Sequence, residues 1–98
     1  GIKPNLVSPT EASYGATTHP EIVAGIIEYL QERSCQHIVM LESSWVGDKT
    51  SESMEVCGYD RLVEKYNVPF WDMQLDESSE VDCAGMKLQI CSSVRKLD

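Results

Sequence analysis

TTHPEIVAGIIEYLQERSCQHIVMLESS, residues Thr17 to Ser44, carries the plan of the chain. Thr18-His19-Pro20-Glu21 has the Thr-x-x-Glu spacing of a capping box, and Pro20 falls in the first turn, where its missing N–H does no harm. Ile22, Val23, Ile26, Ile27 and Leu30 then recur at helical spacing and predict one apolar stripe. Glu21, Glu28, Gln31, Glu32 and Arg33 lie mainly off it. Gly25 costs such a helix about 1 kcal/mol relative to Ala, and Ser34-Cys35-Gln36 ends it. His37-Ile38-Val39-Met40-Leu41 follows, apolar on both faces from Ile38 onward, as a buried parallel strand is. It stops at Glu42-Ser43-Ser44. Strand, helix and strand in this order call for a right-handed crossover and a parallel sheet.

Upstream, Ile2-Lys3-Pro4-Asn5-Leu6-Val7 reads as a strand end breaking into a loop, because Pro4 removes a ladder donor and keeps Lys3 extended. The loop from Asn5 to Thr17 lacks periodicity and is long for a connection, a property of functional or mobile segments. Downstream, Thr50 or Ser51 is placed to cap a short helix that Gly58 breaks. Leu62, Val63 and Tyr66 mark a second helix ending at Asn67. Val68 to Met73, with Pro69 at its start, predicts a third strand. Leu75 to Ser79 is turn-like. The apolar alternation of Val81 and Cys83 shifts parity at Ala84-Gly85 before Met86, Leu88 and Ile90, so a hairpin turn or bulge is expected there. The expected class is α/β: a parallel β-α-β core of about three strands flanked by helices, with a C-terminal antiparallel β-hairpin, in one unit over residues 1–98.

With 16 acidic residues against 8 basic ones and a net charge of -8, the chain is unsuited to a nucleic-acid backbone or an anionic lipid surface. No apolar run approaches the roughly 18 residues of a membrane span. Cys35, Cys57, Cys83 and Cys91 are widely spaced and form no C-x-x-C, so a metal or iron–sulfur site built from this segment is not expected. Burial of reduced thiols in a cytoplasmic protein is the simpler reading. The beginning at Gly1-Ile2-Lys3 and the end at Lys96-Leu97-Asp98 read as the limits of a piece of a longer protein.

In an open α/β sheet, ligands bind outside the carboxyl ends of the strands. Lys3 and Asn5 leave the first strand there, Thr18 and His19 open the helix there, and Glu42 and Ser43 leave the second strand there. This rim suits a small anionic ligand, such as a phosphate or carboxylate, near Lys3 and the helix N-terminus. Thr18 and Glu21 are also explained by capping alone, Glu42 by an ordinary rim charge, and His19 by exposure without a role. Trp45, Phe70 and Trp71 are expected in the core or covering it. No base neighbours Ser43 or Ser44 in sequence, and no phosphate loop, nucleophile elbow or zinc-protease motif occurs.

Ile2-Lys3-Pro4-Asn5-Leu6-Val7, then Thr17 to Val23, then Ile38 to Ser43, and Gly58-Tyr59 before a helix, resemble the domain-of-unknown-function 362 family as far as about Met73. The resemblance implies a prokaryotic, redox-linked protein whose ferredoxin-type cysteine motifs lie elsewhere in the chain. Those motifs are missing here, so no cofactor is expected within this segment, and the remainder of a longer chain is the implied partner. Lys3, Asn5, Thr18, His19, Glu42 and Ser43 match as site-edge residues without assigned roles. The layout is more distantly similar to the amino-terminal domain of nickel-pincer lactate racemases, without their histidine-rich motif. The functional expectation is the α/β part of an iron–sulfur-associated enzyme. A non-catalytic module binding a small anion or a protein is the alternative, and a racemase-like cofactor domain the weaker one.

Overall fold

A computed structural model describes residues 1–97. A short 3₁₀ turn at Ala12–Tyr14 precedes helix α1 (Pro20–Glu32), strand β1 (Met40–Glu42), helices α2 (Thr50–Val56) and α3 (Tyr59–Tyr66), and strand β2 (Phe70–Asp72). A second 3₁₀ turn (Met73–Leu75) leads into β3 (Ser78–Cys83), β4 (Met86–Cys91) and a terminal turn of helix, α4 (Ser92–Arg95). β1 and β2 pair in parallel with Met40 opposite Phe70. On its other side Met40 forms a parallel bridge with Ile2, so β1 is central and both of its neighbours run in its direction. The expected parallel β-α-β core is present, with the third segment reduced to one bridge.

The ladder is short for a local reason. Ile38, Val39, Met40 and Leu41 are all buried, as an apolar run on both faces predicts, yet the strand begins only at Met40. Pro69 has no N–H, although its carbonyl accepts from the Met40 N–H at 2.9 Å. Pro4 ends pairing on the other side after Ile2, whose N–H donates to Val39 and whose carbonyl accepts from Leu41. Helices α1 and α3 share one face of the sheet, in a core of Leu6, Val23, Ile27, Ile38, Met40, Cys57, Tyr59, Leu62 and Val68. Leu41 points the other way, and its side chain and that of Leu97 close around Gly1.

Two expectations for α1 are corrected. The capping box does not form: His19 is the N-cap, with no side-chain cap bond, and the Thr18 hydroxyl accepts from the Asn5 N–H instead. The apolar stripe is only partly buried. Val23 and Ile27 are interior, whereas Ile22 is 58% and Ile26 41% exposed. Trp45, expected to lie in or over the core, is 67% exposed, and Phe70 and Trp71 are half-buried. Of the four cysteines only Cys57 is buried, Cys83 is exposed, and all are free.

The hairpin forms where the parity shift placed it. Ala84 and Gly85 both take positive φ, 52° and 82°, the pair of values a two-residue turn needs to match strand twist. Asp82 secures the turn by accepting from the Gly85 N–H. β3 begins at Ser78, inside the stretch expected to be turn. Asn67 ends α3 in left-handed geometry with φ 53°, a conformation Asn tolerates better than most side chains.

The C-terminal unit is held to the second 3₁₀ turn by Asp76, whose carboxylate accepts from the Ser93 N–H at 2.6 Å and from its hydroxyl at 2.5 Å. These bonds hold the Asp76 carboxyl below the usual aspartate range. Because the folded value is depressed, the attachment is fully present above the ordinary aspartate pKa and is lost as pH falls through the depressed one. Amide exchange at residues 92–97 is therefore expected to accelerate across that acidic window before β1 and α1 open. Ser93→Ala, which loses the hydroxyl but keeps the N–H bond, should weaken this pH dependence, and Asp76→Asn should remove it.

Candidate functional site

The rim at the carboxyl end of β1 is built around Glu42. Its side chain is 3% exposed, and both oxygens are engaged. One accepts from the Leu6 N–H at 2.9 Å and from Lys3 Nζ at 3.0 Å. The other accepts from the Ser43 N–H at 2.8 Å and lies 2.8 Å from Lys3 Nζ. A buried carboxylate is costly unless it is paired and hydrogen-bonded, and three donors from two segments meet that need. Lys3 keeps 58% of its side-chain surface open. The ammonium thus closes the carboxylate on the inside while its outer face meets solvent.

The neighbouring residues hold the loop. The Asn5 side chain donates to the Ala16 carbonyl at 2.9 Å, and the Thr18 N–H donates to the Asn5 carbonyl at 2.9 Å. With the Asn5 N–H on the Thr18 hydroxyl, Asn5 and Thr18 clasp both ends of the long loop. Thr17 donates its hydroxyl to Thr10, and the Cys57 thiol donates to the same carbonyl. Tyr59, fully buried, donates its hydroxyl to the Thr18 carbonyl at 3.0 Å. Burial first, then the charges of Cys57, Glu21 and Glu42, raise the Tyr59 phenol far above its ordinary value, so it stays a donor.

Lys3, Asn5, Thr18, Glu42 and Ser43 therefore lie along one hydrogen-bonded rim. His19 is turned elsewhere. It lines an open cleft of about 600 Å³ with Glu21, Glu55, Arg61 and Lys65, and its Nδ1 lies 3.9 Å from Glu21. None of the other five rim residues lines that cleft.

Sequence reasoning missed a second polar cluster beneath the rim. Ser44, Thr50 and Ser53 are buried. Ser44 donates its hydroxyl to the Leu6 carbonyl at 2.6 Å, its Oγ is 2.9 Å from that of Ser53, and its N–H donates to Thr50 Oγ1. Gln74 accepts from the Thr50 N–H at 3.0 Å and donates to the Asp48 carbonyl at 2.7 Å. Gln74 thereby caps α2, whose N-cap Lys49 supplies no side-chain bond; Thr50 and Ser51, expected as caps, are inside the helix. The available signal was Ser44 beside Glu42 at the end of a buried strand. Nothing local marked Gln74.

The chain matches the family model described as Domain of unknown function (DUF362) over residues 1–98. The chain belongs to the DUF362 family. No curated protein and no solved structure gives a significant match. Among the described residues of this DUF362 chain, no three His, Cys, Asp or Glu side chains gather as a metal site. No helix among them is long and apolar enough to cross a membrane.

Glu42→Ala strips acceptors from the Leu6 and Ser43 N–H groups and should cost about 3 kcal/mol. Lys3→Ala removes an exposed partner while the two backbone donors remain, and should cost about 1 kcal/mol. Urea denaturation of both variants checks the order; equal costs would show that the ion pair, and not the backbone donors, holds the carboxylate.

Proposed function

We propose that these residues form the α/β part of a prokaryotic, cytoplasmic, redox-linked enzyme of the iron–sulfur-associated kind, with its ligand edge at the Lys3–Ser43 rim. One observation carries the reading: Glu42 holds the Lys3 ammonium in a fixed position at the carboxyl end of the central strand, with its outer face open. Ligands of open α/β sheets bind at that edge. A held cation spends little ordering entropy on meeting an anion, and the exposed Ser43 beside it offers a hydroxyl donor. The ligand chemistry that fits is a carboxylate or phosphate.

Roles follow from what each group already does. Glu42 is saturated with donors, so it positions Lys3 and is not free to take a proton from a ligand. Lys3 supplies charge. Ser43 supplies a hydrogen bond, with no base beside it to make it a nucleophile. That last point favours, as a second reading, a module that binds a small anion without transforming it.

An iron–sulfur cluster supplies one-electron transfer when bound, and the cysteines here do not fit one. Cys57 is buried and donates to the Thr10 carbonyl. Cys35 follows α1, Cys83 is at the hairpin tip, and Cys91 is at the hairpin base. In this reading the cluster is held by chain outside these residues.

The test is thermal-shift titration of the native protein with inorganic phosphate, acetate and lactate. Stabilisation by at least one of them, weakened by added salt and abolished in Lys3→Ala, is expected. No stabilisation, or equal stabilisation of Lys3→Ala, would remove the rim as an anion site.

A further inference from the structure

The loop that follows the rim exposes a large apolar surface. Trp45 is 67% and Val46 93% exposed, and Val7, whose carbonyl accepts from the Trp45 N–H at 2.9 Å, is 37% exposed. Tryptophan is highly buried on average, so its exposure is informative where that of a lone leucine is not. Contiguous apolar surface rimmed by polar groups marks a binding site.

The loop gives the indole a defined seat. The Trp45 carbonyl accepts from the Asp48 N–H at 2.9 Å, and Gln74 donates to the Asp48 carbonyl at 2.7 Å. Trp45 is thereby tied to Val7 before the loop and to the turn after β2 beyond it. The ring itself lies against Gly47: a Cβ there would meet its Cζ3 at 3.1 Å and its Cε3 at 3.3 Å. Gly47 takes no positive φ, so the approach of the ring, and not the backbone, suits a residue without a side chain there.

The indole also sits next to the fixed charge. Past the end of β1 burial alternates, with Glu42 and Ser44 buried and Ser43 and Trp45 exposed. Ser43 and Trp45 therefore share a face of the chain, about 7 Å apart along it. The Lys3 ammonium meets Glu42 one residue before Ser43, with its outer face open. Cation, hydroxyl and indole follow one another along a single stretch. One indole and two valines fall far short of a protein interface, which takes about 800 Å² from each partner. They match one flat ring, which stacks on an indole.

Resting on the rim as an anion site, we infer that its ligand is a carboxylate or phosphate joined to an aromatic ring. The anion meets Lys3 and Ser43, and the ring lies on Trp45. Lys3 makes the site one for anions, and Trp45 selects among them.

Titration of the isotope-labelled native protein with inorganic phosphate and with phenyl phosphate, followed by nuclear magnetic resonance, tests this. Affinities are read from the Ser43 amide, and the Trp45 indole N–H signal is identified by its loss in Trp45→Leu. Phenyl phosphate is expected to bind about two- to ten-fold more tightly than phosphate, and to move the Trp45 indole signal but not that of Trp71. Trp45→Leu should erase the advantage of the ring, and Lys3→Ala should weaken both probes. Equal affinities in the native protein, or an advantage that persists in Trp45→Leu, would overturn the inference and leave the rim a plain anion site. Binding of neither probe would remove the rim reading, and this inference with it.

Discussion

The Glu42 carboxylate is the constraint around which this fold is arranged. It ends the central strand on the helix-covered face, nearly out of water. A carboxylate in that position requires donors, and the chain delivers them from both sides: Leu6 and Lys3 from the first segment, Ser43 from its own. Because Leu6 is itself fully buried, the carboxylate and the core fix the same short segment from opposite ends. Ser44 reinforces the arrangement one residue on, by donating to the Leu6 carbonyl. The first segment needs only one ladder bridge, at Ile2, because these side-chain bonds take over where Pro4 ends the pairing.

From that anchor the remaining polar contacts follow in order. Asn5 clasps Thr18, which sets where the long loop returns and where α1 starts. Tyr59 and Cys57 tie the same loop to the start of α3 and the end of α2. Ser44, Thr50 and Gln74 link the end of β1 to α2 and to the turn after β2. Lys3 is drawn to the rim as a consequence of closing the carboxylate, so the group best suited to meet a ligand is held by the group that stabilises the fold. The hairpin and α4 are joined more lightly, through Asp76 and Ser93 and the contact of Leu97 with Gly1.

Where structure is set by neighbours in sequence, it was legible. The apolar run at Ile38–Leu41, the α1 periodicity, the end of α3 at Asn67 and the Ala84-Gly85 turn all carry local signals, and all appear. The misses share the opposite property. Thr18 looks like a capping residue until Asn5, thirteen residues away, competes for its hydroxyl. Gln74 has no local mark as a cap because the helix it serves begins 24 residues earlier. Periodicity grouped Ile22 and Ile26 with the core because it reports that a face is apolar and not whether anything covers it. Glu42 was balanced between a rim charge and a site residue; only its donors reveal that it is an anchor and Lys3 the exposed partner.

Amide hydrogen exchange at Leu6 and Ser43 tests the anchoring role most directly, since both N–H groups donate to Glu42 and neither belongs to a long ladder. If the carboxylate holds the first segment against the central strand, these two amides exchange as slowly as Met40 and Leu41, and Glu42→Gln accelerates both together. Exchange at the rate of the exposed Val46 and Gly47 amides in the unmodified protein would contradict the account.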